Sequence, residues 1–257
     1  MSVEYSDFNI NRSRMRSGKM KLTKTQKLGA SMIGSDACLS TVGAFQMIED
    51  AITEFMGELK IDGITVLKKY NEFWVFVKTH VKFLKKLSWG EEYTITAFIS
   101  SMSLAKMYED VKVCDKEGEV VFYARVELCV LDAATQRIKK LATVGVIDAM
   151  LSNEATEEIT FGKFPTCELR LTEQVKVRST NIDRSHHTNN VEYIRFIMNT
   201  FSAEGLETKD MKEIEIVYSG QSYENDVLDI LKAGDKDRDL IVLQKDGKPV
   251  IKCEIVY

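Results

Sequence analysis

The chain has 257 residues, 44% of them apolar and 29% charged, which is typical of a soluble protein with a substantial core. Its formal net charge of −4 gives no general attraction to nucleic acid or to anionic membranes, so we expect neither as a partner. The first twenty residues lack the apolar stretch that a secretory signal needs, and no window approaches eighteen consecutive apolar residues, so we expect a soluble, cytoplasmic protein.

The first half predicts an opening strand, one helix and then four more strands. Residues 20–33 have the pattern of the opening strand. The segment 39–57 carries an apolar stripe at helical spacing, formed by Phe45, Ile48, Ile52 and Phe55. Runs rich in β-branched and aromatic residues follow the helix. They predict strands at 74–84, 92–100, 107–113 and 119–131.

The second half repeats this layout. "DKEGEVVFYARVEL" at 115–128 matches "QKDGKPVIKCEIVY" at 244–257, each a charged turn with glycine followed by an alternating strand. "GSDACLSTVGAFQMIEDAITEF" at 34–55 matches "TNIDRSHHTNNVEYIRFIMNTF" at 180–201 in the same way. The second copy predicts a strand at 172–181, a helix at 189–203 and strands near 213–221, 227–233, 239–245 and 249–257.

The second helix is apolar on nearly every side, with only Glu192, Arg195 and Asn199 forming a polar strip. Such a helix must be surrounded by other elements, and a sheet curved around a single central helix surrounds it. We therefore predict an α+β protein of two tandem hotdog domains that form a pseudo-dimer. The predicted divisions are an N-terminal domain at 1–146, a polar linker at 147–170 and a C-terminal domain at 171–257.

The stretch "DRSHHTNNVEY" at 183–193 places two of the three histidines directly ahead of the second helix. A helix start leaves backbone N–H groups unpaired at the positive end of the helix dipole, where a developing oxyanion is stabilised. Asp183 and His187 would flank these groups. The stretch therefore predicts a site for attack on a carbonyl, in which one side chain activates water and the amides hold the charge.

Helix capping explains part of the same stretch. Thr188 or Asn189 can serve as the N-cap, and Glu192 would complete a capping box with Asn189. Capping does not explain Asp183 or the histidine pair.

The repeat alignment sets Ser40 opposite His187, so the first copy lacks the histidine and is expected to be chemically silent. Either His186 or His187 can be the functional histidine of the pair. Adjacent histidines point in different directions and no third ligand is nearby, so we expect no metal site. We expect no cofactor either.

The same stretch resembles a motif of the acyl-acyl-carrier-protein thioesterases of plants and bacteria, Asp-x-Asn-x-His-x-Asn-Asn-x-x-Tyr. Two further blocks are similar to that family, "FWVFVKTHVKFLKKLSWGEEYTI" at 73–95 and "VLDAATQRIKKL" at 130–141. The resemblance extends over most of the chain. It implies tandem hotdog domains, of which the first holds the acyl chain and the second is catalytic.

The family's motif acid falls on Asp183 and its histidine on His187, whereas its asparagine is replaced by Ser185. On a later strand the family's Glu-Cys pair is replaced by Gln221 and Ser222, so a Cys-His mechanism cannot operate through that position. The resemblance thus implies catalysis by Asp183 and His187. Ser185 and Gln221 would complete the polar shell.

The resemblance implies hydrolysis of fatty acyl thioesters of acyl carrier protein in fatty acid biosynthesis. Asp183 would activate or position a water molecule or attack the thioester directly, with His187 assisting. Further candidates for substrate binding are Asn189, Asn190 and Ser222 beside the helix start, and Phe45, Met47, Ile52 and Trp74 as walls of the acyl slot.

Acyl carrier protein is acidic, so its docking needs a basic patch on an otherwise acidic chain. The candidate patches are Lys82, Lys85 and Lys86, or Arg137, Lys139 and Lys140. Pairing of two chains into a homodimer remains open. So do two other functions: an acyl-CoA thioesterase or enoyl-thioester hydratase of the same fold, and a module that binds acyl thioesters without turnover, which the departures at Ser185 and Gln221 would suit.

Overall fold

The computed structural model describes residues 20–154 and 159–257. Residues 1–19 of the predicted N-terminal domain and residues 155–158 of the predicted linker lie outside these residues. The first half contains two α-helices, α1 (Thr41–Glu58) and α2 (Gly63–Tyr70), and the strands β1 (Leu22–Lys27), β2 (Glu72–Phe83), β3 (Glu92–Met102), β4 (Lys106–Asp115), β5 (Val120–Asp132) and β6 (Ile138–Lys139).

The second half contains the same kinds of element in the same order, except that its described residues include no counterpart of β6. Its strands and helices are β7 (Arg170–Lys176), α3 (Asn190–Met198), α4 (Ala203–Thr208), β8 (Glu213–Tyr218), β9 (Val227–Gly234), β10 (Arg238–Lys245) and β11 (Lys248–Val256).

The strands form one antiparallel sheet in the order β1-β3-β4-β5-β2-β8-β11-β10-β9-β7, with β6 added beside β5. The order of the first half is the reverse of the order of the second, so the halves are related about the β2–β8 seam. There Thr79 pairs with Ile216 and His80 with Glu215. The internal duplication predicted from the sequence is visible in this symmetry, as is the α+β arrangement. The predicted divisions at 146 and 171 stay predictions.

The core lies between the curved sheet and the central helices α1 and α3, which pack against each other. Phe45, Ile52 and Phe55 of α1 are almost completely buried, as the predicted stripe requires. Burial of each such side chain contributes on the order of 1.5–3 kcal/mol. This apolar contact brings the N-terminus of α3 beside the middle of α1, which positions the site described below.

Some predicted element limits were wrong. The helix predicted at 189–203 ends at Met198, and Ser202 starts a separate helix by accepting a hydrogen bond from the Gly205 amide at 3.0 Å. Helix α2 was not predicted; it is short and is started by Asp62, which accepts hydrogen bonds from two backbone amides of the first turn. The opening strand ends at Lys27.

None of the helices in the described parts of the chain is long and apolar enough to cross a bilayer.

Candidate active site

A tight turn ahead of α3 separates the two neighbouring histidines. The Asp183 amide donates to the His187 carbonyl at 2.9 Å, and the His186 amide donates to the Asp183 carbonyl at 3.1 Å. His186 has φ +64°, the left-handed conformation that a turn of this kind places near its end. His186 is therefore exposed at the tip while His187 is partly buried, so His187 is the better candidate of the pair.

Ser185 connects the acid to the imidazole. Its amide donates to Asp183 Oδ1 at 2.7 Å and its hydroxyl to the same oxygen at 2.5 Å. The hydroxyl oxygen also lies 3.1 Å from His187 Nδ1. The Ser185 hydroxyl has a single hydrogen, which it donates to Asp183. The hydrogen between Ser185 and His187 therefore belongs to Nδ1 of the imidazole, which donates to the Ser185 oxygen. Nε2 of His187 is then the acceptor.

The environment of His187 favours the neutral imidazole. Burial lowers its pKa, the nearby Asp183 carboxylate acts in the opposite direction, and the neighbouring His186 lowers it further. Its ring packs edge-on against Tyr223, with the centroids 5.1 Å apart. At neutral pH this histidine is thus able to accept a proton.

The Asn190 amide is free at the N-terminus of α3, within the part of the chain that the structure describes. Asn189 is the N-cap; its Oδ1 accepts from the Val191 amide at 2.7 Å, and its carbonyl accepts from the Glu192 amide at 3.0 Å. Among the described residues nothing accepts a hydrogen bond from the Asn190 amide. The Asn190 N–H is therefore available to hold an oxyanion at this end of the helix.

The predicted capping box forms only in part. Asn189 caps the helix, but the Glu192 side chain accepts hydrogen bonds from Asn181 at 2.7 Å and Arg195 at 3.1 Å and does not reach back to the N-cap amide. Thr188 is not a cap, because its hydroxyl is buried against the segment after β8.

The first half also contributes a carboxyl group to this site, that of Glu49, which the sequence did not single out. Glu49 of α1 accepts a hydrogen bond on Oε1 from Asn189 Nδ2 at 3.1 Å. Its Oε2 is buried and has no hydrogen-bond partner in the described parts of the chain. Burial raises the pKa of Glu49 to about 7; the Asn189 hydrogen bond opposes this, while Asp183 and Asp50 add to it.

Of the two residues that replace the family's Glu-Cys pair, Ser222 is buried and Gln221 is exposed. Ser222 is fully buried; its hydroxyl lies 2.7 Å from Thr188 Oγ1 and 2.9 Å from the Tyr193 hydroxyl. Ser222 therefore connects the segment after β8 to the residue that follows the turn at 183–187. Gln221 is exposed, and within the described residues its side chain makes no hydrogen bond, so its role in the polar shell stays a prediction.

The predicted wall residues lie in the core of the first half. Phe45, Met47 and Ile52 are buried within it, and the indole N–H of Trp74 donates to the Ile61 carbonyl at 2.6 Å. Their role in an acyl slot stays a prediction.

The first half has a turn of the same geometry ahead of α1. Ala37 has φ +56° and corresponds to His186. The Gly34 amide donates to the Cys38 carbonyl at 2.8 Å, which is the hydrogen bond that Asp183 and His187 make in the second half. Gly34 therefore corresponds to Asp183 and Cys38 to His187.

The expected pairing of Ser40 with His187 was thus wrong by two residues, because the alignment was anchored on the aspartates of the two turns and not on the N-caps. Ser40 is the N-cap of α1 and corresponds to Asn189. Continued along the helices, the corrected alignment sets Glu49 opposite Met198. Met198 lines a cavity of about 310 Å³ beside the first turn. The first copy thus has neither the acid nor the histidine at the corresponding positions.

A central helix enclosed by an antiparallel sheet, present twice in one chain, is the tandem hotdog fold predicted above. Family models agree: residues 20–144 match the acyl-ACP thioesterase N-terminal domain and residues 167–250 match the acyl-ACP thioesterase C-terminal domain. The chain belongs to the acyl-ACP thioesterase family.

Two plant enzymes are among the known proteins of similar sequence. The chain is 22% identical over 196 residues to an oleoyl-acyl carrier protein thioesterase of Coriandrum sativum, covering 70% of this chain and 52% of that protein. It is 22% identical over 175 residues to a palmitoyl-acyl carrier protein thioesterase of Cuphea hookeriana, covering 65% and 42%. The chain thus spans about half the length of these relatives.

Solved structures match over more of their length. An acyl-ACP thioesterase from Bacteroides thetaiotaomicron superposes with a TM-score of 0.85 at 17% identity, covering 92% of this chain and 97% of that one. The 12:0-ACP thioesterase from Umbellularia californica gives 0.81 at 17% identity, covering 92% and 96%. At this identity the likeness shows the fold.

Proposed function

We propose that the protein hydrolyses fatty acyl-acyl-carrier-protein thioesters, releasing the fatty acid and the free carrier thiol. The observation that carries this proposal is the hydrogen-bonded series Asp183–Ser185–His187 in the turn that ends at the free Asn190 amide. An acid, a neutral imidazole and an unpaired helix amide are the groups that acyl transfer to water needs.

The reaction begins with the thioester carbonyl oxygen at the Asn190 N–H, where the helix dipole stabilises negative charge. Asp183 contacts the reacting groups through Oδ2, because its Oδ1 already accepts two hydrogen bonds from Ser185. It activates or positions the attacking water, or attacks the carbonyl itself. His187, whose Nε2 is the acceptor, assists the proton transfer. Collapse of the tetrahedral intermediate breaks the C–S bond and releases the thiol.

The departure at Ser185 does not remove the link between acid and histidine. Ser185 contacts both side chains through one hydroxyl, and in this chain it takes the place of the asparagine in the motif that the family resemblance supplies. We also propose that Gln221 orients the substrate from the exposed side of the site.

Carrier docking is best supported at the second of the two basic patches. In the first patch Lys85 pairs with Asp115 and Lys86 with Asp36. In the second patch Lys139 also forms ion pairs. Arg137 and Lys140 are exposed, and in the described ranges neither forms an ion pair. Unpaired surface cations attract an acidic partner. A cytoplasmic location and a homodimer remain predictions.

The proposal is tested by release of free thiol from acyl-carrier-protein and acyl-CoA substrates of several chain lengths. We expect turnover, with a higher kcat/KM for the carrier-linked substrates. Faster turnover of acyl-CoA would identify the acyl-CoA thioesterase alternative. Binding without release at every chain length would identify the non-catalytic module.

Substitution of Arg137 and Lys140 by glutamate tests the docking surface. The KM for acyl carrier protein should rise while the KM for acyl-CoA, the internal control, stays unchanged. An unchanged KM for the carrier substrate would exclude this patch.

A further inference from the structure

The carboxyl group of Glu49 lies where the two halves meet at the start of α3. It accepts a hydrogen bond on Oε1 from the Asn189 side chain at 3.1 Å, and Asn189 directly precedes the free Asn190 amide. Its second oxygen is buried without a hydrogen bond in the described ranges. A buried carboxylate oxygen without a partner is costly, so this group requires an explanation.

Packing does not provide that explanation. At the corresponding position of the second half stands Met198, an apolar residue of similar length, which packs beside the turn of the first half. The helix contact between α1 and α3 therefore accepts a methionine at this position. Of these two corresponding helix positions, the one beside Asp183 and His187 has a carboxyl group and the one beside the first turn has a methionine.

We propose that Glu49 is a catalytic residue, the general base that removes a proton from the attacking water while Asp183 positions that water. This inference rests on the proposed function and completes it. The active site is then built from both halves: the second supplies the turn and the free amide, and the first supplies the base.

One O–H bond of water breaks and its proton goes to Glu49, while the water oxygen bonds to the thioester carbon and the carbonyl electron pair moves to oxygen beside Asn190 N–H. Collapse of this intermediate reforms the carbonyl and breaks the C–S bond. Glu49 returns the proton to the departing sulfur, which leaves the carboxylate ready for another cycle.

The electrostatics of the position suit this role. Burial and the neighbouring acids Asp183 and Asp50 raise the pKa of Glu49 to about 7. A general base is most effective when its pKa lies near the working pH, because it is then both ionised and basic enough to take the proton. The Asn189 hydrogen bond fixes the orientation of the carboxyl.

The test compares Glu49→Gln, which retains an oxygen for Asn189, with Glu49→Met, which copies the residue in the other half. The control is Glu54→Gln on the same helix, where the exposed carboxylate pairs with Lys24. We expect both Glu49 variants to lose about a hundredfold in kcat with KM within about threefold, and the control to match wild type. The wild-type kcat/KM should rise with pH through about 7, and this rise should be absent in Glu49→Gln.

Glu49→Gln activity within about threefold of wild type would overturn the proposal. If neither variant folds, the wild-type pH profile decides, and a profile without a transition near 7 overturns it. Failure of the proposed function looks different: wild type itself releases no thiol. Loss of activity in Asp183→Asn with retention in Glu49→Gln would reject only the role of Glu49.

Discussion

Asn189 joins Glu49 to the start of α3 by using both ends of its side-chain amide. Its Nδ2 donates to Glu49 at 3.1 Å, and its Oδ1 accepts from the Val191 amide at 2.7 Å. One side chain therefore caps the helix and also sets its position relative to the carboxyl of the other half. Any substrate carbonyl bound at the Asn190 amide is held next to this contact.

His187→Ala should lower kcat/KM by about a hundredfold, because the neutral imidazole can no longer assist proton transfer. The matched control is Cys38→Ala, the corresponding position in the turn of the first half. We expect that variant to retain wild-type activity. Steady-state thiol release measures both, and equal effects of the two substitutions would contradict the assignment of a single active copy.

Ser185→Ala should lower kcat by about tenfold, because the acid and the imidazole lose the hydroxyl that connects them. Ser185 is exposed, so the midpoint of thermal unfolding should stay within a few degrees of wild type. Ser185→Asn, which restores the residue of the family motif, should recover much of the activity. Wild-type kcat in Ser185→Ala would show that the series of hydrogen bonds is not needed.

Glu49 should make stability depend on pH. Its pKa is about 7 in the folded protein against an ordinary 4.5, so between these values the unfolded chain releases a proton that the folded protein retains. The free energy of unfolding therefore falls as pH rises from about 4.5 to about 7, by about 3 kcal/mol for this group. Below that window the group contributes no penalty, and above it the loss is complete.

Chemical denaturation of wild type and Glu49→Gln at pH 5 and pH 8 measures this dependence. The variant should gain stability relative to wild type at the higher pH, because it cannot ionise. A stability difference that is the same at both pH values would mean that Glu49 ionises normally in the folded protein.

Alkylation of cysteine should leave activity intact. Cys167 is exposed and should react, whereas Cys129 and Cys253 are buried and burial raises the pKa of both thiols. The position of the family's cysteine is Ser222, which is hydrogen-bonded inside the protein. Iodoacetamide labelling followed by thiol release tests this, and inactivation on labelling of Cys167 would place a needed thiol outside the proposed site.

The sequence predicted the features that depend on local patterns. Alternating strands and glycine turns revealed the duplication, and Gly118 and Gly247 do adopt positive φ at corresponding hairpins. Asp183 and His187 were found because they lie in one short stretch ahead of a helix. Such patterns follow from backbone geometry over a few residues and need no knowledge of tertiary contacts.

Other features depend on contacts between distant residues and were missed for that reason. Glu49 lies 140 residues before Asn189, and in its own helix it resembles any polar position between buried neighbours. The repeat alignment was wrong at the helix start because both turns contain an aspartate, Asp36 and Asp183, at different positions of the turn. The N-caps, the left-handed residues and the matching backbone hydrogen bonds of the two turns fix the correct alignment.

Release of free thiol from an acyl-carrier-protein substrate by wild type, Asp183→Asn and Asp36→Asn tests the central claim most directly. The Asp183 variant should lose at least about a hundredfold in kcat/KM, since only its carboxylate lies in the turn beside His187 and the Asn190 amide. The Asp36 variant, changed in the silent turn of the first half, should remain within about threefold of wild type. A loss under about threefold for Asp183→Asn, or an equal loss for Asp36→Asn, would contradict the assignment of the active site to the second turn.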